Sequence, residues 1–498
     1  MKYWKNPSLQ KICRETLAHT TAHGIPSILR SQTRLKRTFW LIFVALVLIC
    51  LLWQCTELIA KFFRYPSQEK ITLVNMAKLN FPAVTFCNLN RVRASILNSK
   101  YKYLRELLPS SLESMANESS RKTHKSGNQN EQKNFHLALS MLSEEQQLEI
   151  GHQLDDMLFF CSFHGGQCNK SFFTTFLNHK FGNCFTFNGL NMGADGESQW
   201  KEILNATKAG FSYGLMLELY IEQVEYIKEL SSTAGLRMVI HDQHRMPFPE
   251  DEGVNISPGM ESDIGMVKIH VRRLKPPYSS KCTDGEEKIN YYATTYDVGY
   301  SREACKKSCG QMKLIKNCGC RVSEFPAPPR SNAPFCNISD KAINNCVEQY
   351  EYKIAHDELK CNCPLQCEEE NFELTLSSSQ WPSRVTMEEF SKKLKRAGGK
   401  WAQAAKRVRD NLIKVVVYYQ QLNYELIEEI PSVRAVDLIS SIGGLVGLWI
   451  GVSVCTVAEF IELCINILLF SIRRLLHREK HIPLNPYTLP NTVFRSQL

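Results

Sequence analysis

Residues Ser441–Glu462 read SIGGLVGLWIGVSVCTVAEFIE. The stretch is apolar enough for a membrane, yet it carries four glycines and ends in two glutamates. Glycine costs about 1 kcal/mol against alanine inside a helix. A carboxylate at membrane depth costs roughly 2.5–3.5 kcal/mol on insertion scales. A helix facing lipid gains nothing from either, whereas a helix that packs against copies of itself and lines water uses both. The second decisive segment is FWLIFVALVLICLLWQCTELIA, Phe39–Ala60. At about 1.5 Å per residue it crosses a ~30 Å hydrocarbon layer. No comparable apolar run lies between the two. A core helix of a soluble protein is the competing reading, and length argues against it.

Charge sets the expected topology. Of the formal +10 on 498 residues, residues 1–37 carry +7 and residues 473–498 carry +4, which leaves −1 for the rest. Both basic ends flank apolar spans, so the positive-inside rule places both termini in the cytoplasm of a multi-pass plasma-membrane protein. The basic character is thus explained by membrane flanks, and no nucleic-acid partner is expected. The first span serves as a signal anchor. The predicted organisation is a cytoplasmic segment 1–38, a span 39–60, an extracellular cysteine-rich domain 61–432, a second span 433–472 and a cytoplasmic tail 473–498. Of 19 cysteines, 14 lie between the spans, an even number that fits seven disulfides in an oxidising compartment. All five N-x-S/T sequons, Asn117, Asn169, Asn205, Asn255 and Asn337, fall there too and are expected to be glycosylated.

Strand-type runs follow the first span (Ile71–Asn88) and precede the second (Leu412–Ile430). Side by side in one sheet, they would transmit its movement to both helices. The polar run 117–133 reads as a solvent-facing insertion. Thr386 with Glu389 forms a capping-box pattern for a helix through about Arg396, interrupted at Gly398-Gly399, with a basic amphipathic helix to about Asn411. Cys305 and Cys309 share a helix face, and Cys361 and Cys363 share a strand face. A helix antiparallel to that strand gives nested rungs Cys309–Cys361 and Cys305–Cys363, with Cys282–Cys367 beyond. Zinc is the alternative, because Cys318-x-Cys320 and Cys361-x-Cys363 resemble ligand pairs.

FPAVTFCNLNR after the first span, the 14 cysteines, and GLWIGVS in the second closely resemble the epithelial sodium channel/degenerin superfamily, nearest its acid-sensing and related ligand-gated members. The resemblance covers His23 to about Glu462. It implies a trimer, homomeric or built with related subunits, around a sodium-selective, amiloride-blocked pore, with a disulfide-rich α+β ectodomain of palm, thumb, finger, knuckle and β-ball. It needs no cofactor and no metal, only the permeant sodium ion. It also implies the disulfides Cys87–Cys184, Cys161–Cys168, Cys282–Cys367, Cys305–Cys363, Cys309–Cys361, Cys318–Cys346 and Cys320–Cys336. His23 and Gly24, in TAHGIPSI, match a His-Gly motif that in relatives re-enters the pore from below. Gly451, Val452 and Ser453 match the Gly-x-Ser selectivity signature, where glycine lets the backbone unwind and its carbonyls face an ion. Small-residue packing by Gly443, Gly447 and Gly451 is compatible with that role. Ser440 aligns with the degenerin position. Glu459 and Glu462, three apart, would form rings of carboxylates in a trimer, with interhelical hydrogen bonding as their alternative. Gln54 and Glu57 are given no role.

The gating stimulus is where this sequence departs from the acid-sensing pattern. After Tyr65, the acid-sensing His pair is replaced by Pro66 and Ser67, and the Asp-Glu pair of the acidic pocket by His244 and Arg245. A cation there removes the crowded carboxylates that sense protons. Nearby Asp242, Glu250, Asp251 and Glu252 offer acidity, although charge runs are commonly solvated surface. The expectation is an extracellular ligand, with a short amidated peptide favoured over protons or constitutive opening. Tyr65 and Tyr278 are the expected coupling residues at the wrist. A trimeric ATP-gated channel shares the two-span layout but lacks these motifs. An ectoenzyme would need a phosphate loop, HExxH or GxSxG, and none is present.

Overall fold

The computed structural model describes residues 9–108, 134–189, 203–286, 288–356 and 358–479. The chain divides into a unit of its two ends, Met1–Ser67 with Pro431–Leu498, and a unit Gln68–Ile430. In the first unit, short helices Leu9–His19 and Ile25–Arg30 precede a 30-residue helix, Arg34–Phe63. That helix begins five residues before the expected boundary because Arg34–Arg37 are good helix formers that continue the turn. The other end forms Ala435–Ile450 and Val454–Glu479, with 451–453 outside either helix. The second helix passes the expected end at 472, since nothing in Arg473–Glu479 breaks it. Among the described residues, Arg34–Phe63 and Val454–Ile472 are long and apolar enough to cross a membrane, and Ala435–Ile450 is apolar but shorter. Trp449 Nε1 donates to Gln54 Oε1 at 2.9 Å, tying Ala435–Ile450 to Arg34–Phe63 and giving Gln54 a role that its position alone did not indicate.

The unit Gln68–Ile430 is built on two sheets. One runs in the order Glu368–Gln380, Met260–Arg272, Leu412–Pro431, Leu215–Tyr220, Leu158–Phe163, Gly166–Gln167, and Ser67–Asn75 pairs with Leu412–Pro431. The strands that feed the two spans therefore are neighbours. The run Ile71–Asn88 is not continuous, however. It splits into Ser67–Asn75, Leu79–Asn80 and Ala83–Asn88, since Pro82 has no amide to donate to a ladder. The 20-residue strand Leu412–Pro431 pairs in its first half with Leu215–Tyr220. Beside Met260–Arg272 its register jumps: Met266 faces Tyr419, but Lys268 faces Tyr424. Two steps on one strand meet five on the other, a bulge.

The second sheet orders Val254–Ile256, Leu236–His241, Ala83–Asn88, Gly182–Phe187 and Phe173–Asn178. Every residue of Ala83–Asn88 is buried, its polar members satisfied by Thr85 bonding Thr186 and His241 and by Asn88 donating to Ile221 O. The sheets share a core in which Leu215, Leu217, Leu219, Val415 and Val417 meet Phe81, Phe86, Phe185 and Phe187. Each such side chain contributes roughly 1.5–3 kcal/mol when fully buried.

The fourteen cysteines form Cys87–Cys184, Cys161–Cys168, Cys282–Cys367, Cys305–Cys363, Cys309–Cys361, Cys318–Cys346 and Cys320–Cys336. Both Cys-x-Cys pairs are thereby consumed, which removes the zinc reading. Cys305 and Cys309 lie on the buried face of Arg302–Cys318, a helix capped by Ser301 and closed by Gly319 at φ 72°. Cys361 and Cys363 are not on a strand, contrary to expectation. The Cys363 amide turns back onto the Cys361 carbonyl at 3.0 Å, and Pro364 follows with no donor. The helix Met387–Ala397 forms without its capping box: Thr386 has φ −91° and ψ −8°, and its hydroxyl pairs with Ser383 Oγ at 2.9 Å instead. The expected helix to Asn411 is two, Gly399–Ala404 and Val408–Asn411.

Candidate functional site

Gly451 and Ser453 end one helix and start the next. Gly451 is a left-handed C-cap at φ 64°, its amide donating to Gly447 O at 3.0 Å. Two residues on, Ser453 takes the N-cap position: its hydroxyl accepts from the Thr456 amide, and Thr456 Oγ1 accepts from the Ser453 amide at 3.1 Å. The Ser453 carbonyl receives Val457 N–H, so the new ladder begins at once. Among the described residues, no amide donates to the carbonyls of Gly451 or Val452. A Gly-x-Ser triplet is thus a stop and a restart, with two carbonyls left out of the helical ladder between them.

The break is occupied by the segment Thr20–Gly24. The His23 amide donates to Ile450 O at 2.9 Å, taking up a carbonyl that the helix end leaves open. The His23 ring lies where a Gly451 side chain would be, 1.5 Å from an added Cβ. Glycine is therefore required there twice, by handedness and by space. Thr21 Oγ1 meets Thr456 Oγ1 at 2.6 Å, and Thr456 is fully buried. Thr20 Oγ1 and the Thr21 amide both donate to Glu459 Oε2, at 2.8 and 2.9 Å. Gly24, at φ 89°, has Val44 Cγ2 2.5 Å from its own absent Cβ, so it too admits no side chain. The segment forms a clasp that joins the first helices to both halves of the broken one.

This arrangement separates the two glutamates assigned together to pore rings. Glu459 is engaged by the N-terminal segment, while Glu462, one turn on, is exposed. Ser440 is exposed on Ala435–Ile450. Tyr65 has φ 48° and packs on the rings of Phe62 and Phe63. It belongs to the membrane unit and Tyr278 to the other. Thr20, Thr21, Thr456, Gln54 and Trp449 were not singled out by sequence. The signal for Thr456 was available as Ser453-x-x-Thr456, a capping pattern inside an apolar run.

In the disulfide-rich unit, the acidic turn after Leu236–His241 is paired throughout. Lys307 Nζ, from Arg302–Cys318, lies 2.7 Å from both Glu250 and Asp251, over the Phe248 ring. Arg245 binds Glu252 at 2.7 Å, Asn178 donates to Glu250, and Asp242 accepts from the His244 amide. Burial pushes the Glu250 carboxyl up, but Lys307 and His179, with hydrogen bonds from Lys307 and Asn178, hold it below the usual carboxylate range. Of the sequons, Asn169, Asn255 and Asn337 are exposed, Asn205 is half-buried in a short strand, and Asn117 lies outside the described residues. Among the described residues, no cluster of three or more His, Cys, Asp or Glu could hold a metal ion.

Two apolar spans, one broken and clasped, on either side of a seven-disulfide β-rich ectodomain define a membrane channel subunit. Residues 16–463 match the family "Amiloride-sensitive sodium channel", and the chain belongs to it. It is 28% identical over 535 residues to the epithelial sodium channel subunit alpha of Xenopus laevis, covering 93% of this chain and 82% of that one. It is 30% identical over 495 residues to the subunit gamma of Pan troglodytes, covering 92% and 80%. A cryo-EM structure of a proton-activated chloride channel, at 7% identity, 86% and 96% coverage and a TM-score of 0.32, is too distant to bear on the fold. The chain is a sodium channel subunit of the epithelial sodium channel family, and not an enzyme.

Proposed function

We propose that three copies of this chain, or this chain with related subunits, surround one sodium-selective pore in the plasma membrane with both termini cytoplasmic. An extracellular ligand, with a short amidated peptide favoured, binds the ectodomain and opens the pore. The observation that carries the pore assignment is the pair of unladdered carbonyls at Gly451 and Val452, ahead of Ser453: three copies present a ring of oxygens to a dehydrated cation. An added Cβ at Gly443 or Gly444 meets nothing within 4 Å in one chain, so this face is free for a neighbouring helix to approach. Glu462 supplies the carboxylate ring on the cytoplasmic side, whereas Glu459 anchors the His-Gly clasp. Amiloride blocks from outside, and bulky side chains at Ser440 favour the open state. The names alpha and gamma subunit among the relatives favour a mixed assembly.

The preference for a ligand over protons rests on Lys307 and Arg245, which neutralise the turn where acid-sensing relatives crowd carboxylates. Opening travels from the sheet through the paired strands Ser67–Asn75 and Leu412–Pro431, with Tyr65 and Tyr278 as the coupling residues. Exposed Asn169, Asn255 and Asn337, with Asn205 and Asn117, carry glycans. The test is to express the chain alone and with related subunits, apply acid steps and amidated peptides, and add amiloride. A large current from protons alone refutes the ligand preference, and an unchanged sodium-over-potassium preference in Ser453→Ala refutes the filter.

A further inference from the structure

We propose that the helical hairpin Met387–Ala397 and Gly399–Ala404, with the turn to Asn411, is a binding surface for a sulfated glycosaminoglycan. It rests on the extracellular placement proposed above. Residues 390–409 hold eight Lys/Arg and no acidic residue, a density typical of nucleic-acid or heparin-binding patches. Two of the eight are neutralised locally, Lys392 by Glu388 and Lys400 by Asp156. Lys395, Arg396, Lys406 and Arg407 are exposed and, among the described residues, form no ion pair. Leu394 is buried against Ala404, Ala405 and Val408, and Ser391 Oγ donates to Ala405 O at 3.1 Å, so both cation pairs flank one helix crossing.

The chemistry of the face selects the partner. Its apolar residues point inward, leaving nothing to insert into a bilayer, as an interfacial helix must. Trp401 is packed on Phe159 and Tyr220, and Phe390 on Phe159 and Trp381, so no free ring remains for stacking on bases. What is left over 390–409 is a cationic ridge, with Glu388, Glu389 and Asp410 only at its ends, suited to a flexible polymer of sulfates that Lys and Arg engage by charge-assisted hydrogen bonds.

The test uses intact cells expressing the full chain with an epitope inserted after Val385, a residue that is 90% exposed. Intact cells keep the probe, fluorescent heparin, away from the basic termini. Heparin is expected to bind in proportion to the epitope signal, to weaken steeply with salt, and to be displaced by heparin but not by hyaluronan or desulfated heparin. Lys395→Gln, Arg396→Gln, Lys406→Gln and Arg407→Gln together should lower affinity on the order of tenfold. The pair Lys406→Gln/Arg407→Gln should show an intermediate loss if the quadruple variant does not reach the surface. Undiminished binding by the variants, or equal competition by hyaluronan, overturns the proposal. So does a visible epitope without heparin binding, which would mean that another subunit covers the face. An epitope hidden on intact cells instead overturns the extracellular placement.

Discussion

Replacing Glu459 with alanine tests whether the clasp is a thermodynamic element. The carboxylate accepts from Thr20 Oγ1 at 2.8 Å and the Thr21 amide at 2.9 Å. Hydrogen bonds to a carboxylate are stronger than neutral ones, and solvent at this site screens the pair to an effect on the order of 30-fold in total. Their loss raises the undocked fraction of the N-terminal segment by that factor. Ala22 reports it, because it is 4% exposed when the clasp is closed. In a background with Cys13, Cys455 and Cys464 replaced by serine, an Ala22→Cys thiol, modified from the side on which the proposed topology places the termini, should react in proportion to the undocked fraction. Glu459→Ala should accelerate modification by about that 30-fold, and Glu459→Gln, which keeps an acceptor, by less. Thr20→Val added to Glu459→Ala should do little more, since both remove the same bond. Equal rates in the parent and Glu459→Ala, or fully additive effects of the two substitutions, would refute the assignment of Glu459 to the clasp.

Gly451→Ala forces a β-carbon into the His23 ring and a left-handed backbone, a strain of roughly 1–2 kcal/mol from handedness alone. Recordings should show altered sodium selectivity, partly restored by His23→Ala. Lys307→Met leaves Glu250 buried without its cation, which costs about 3–5 kcal/mol. In the parent, stability from the depressed Glu250 pKa is present above about pH 4.3 and lost only as pH falls through the lower folded value. Without Lys307, burial pushes the carboxyl up. Melting temperature of the variant should then rise as pH falls from neutral, above the range in which Glu250 contributes any slope in the parent. Trp449→Phe removes the bond to Gln54 and should cost about 0.6 kcal/mol, read as a small downward shift in thermal stability in lipid. Removing Cys87–Cys184, 97 residues apart, should destabilise by about 4.7 kcal/mol, against roughly 2.4 kcal/mol for Cys161–Cys168, 7 apart, on the loop-entropy relation.

The features legible in sequence were those set by local chemistry. Apolar length marked the spans, cysteine spacing marked the nested rungs, and β-branched and aromatic runs marked the strands that turn out to be paired. The interruption at Gly451–Ser453 was legible through the Gly-x-Ser resemblance and because glycine acts within its own turn, whereas the capping by Ser453 went unread. The occupant of that interruption was not. Glu459 and Thr20 are 439 residues apart, and nothing in either local pattern identifies the other. Local rules also failed where a neighbour outbid them. Thr386 matched a capping box, but Ser383 takes its hydroxyl. Cys361 and Cys363 alternated like a strand, yet their two disulfides fix them without one.

The bulge beside Leu412–Pro431 has a mechanical consequence. Its first residues, Leu412, Ile413, Val415, Val416 and Val417, are buried in the shared core, whereas the residues from Leu422 onward are only half-buried. Stiffness therefore falls along one continuous strand, and Gln420–Asn423, unmatched on the neighbouring ladder, mark where it changes. A load on this strand meets a rigid clamp at one end and a compliant lever at the other. Bending will concentrate at those four residues, and shortening that stretch to restore register should stiffen the lever while leaving the clamp intact.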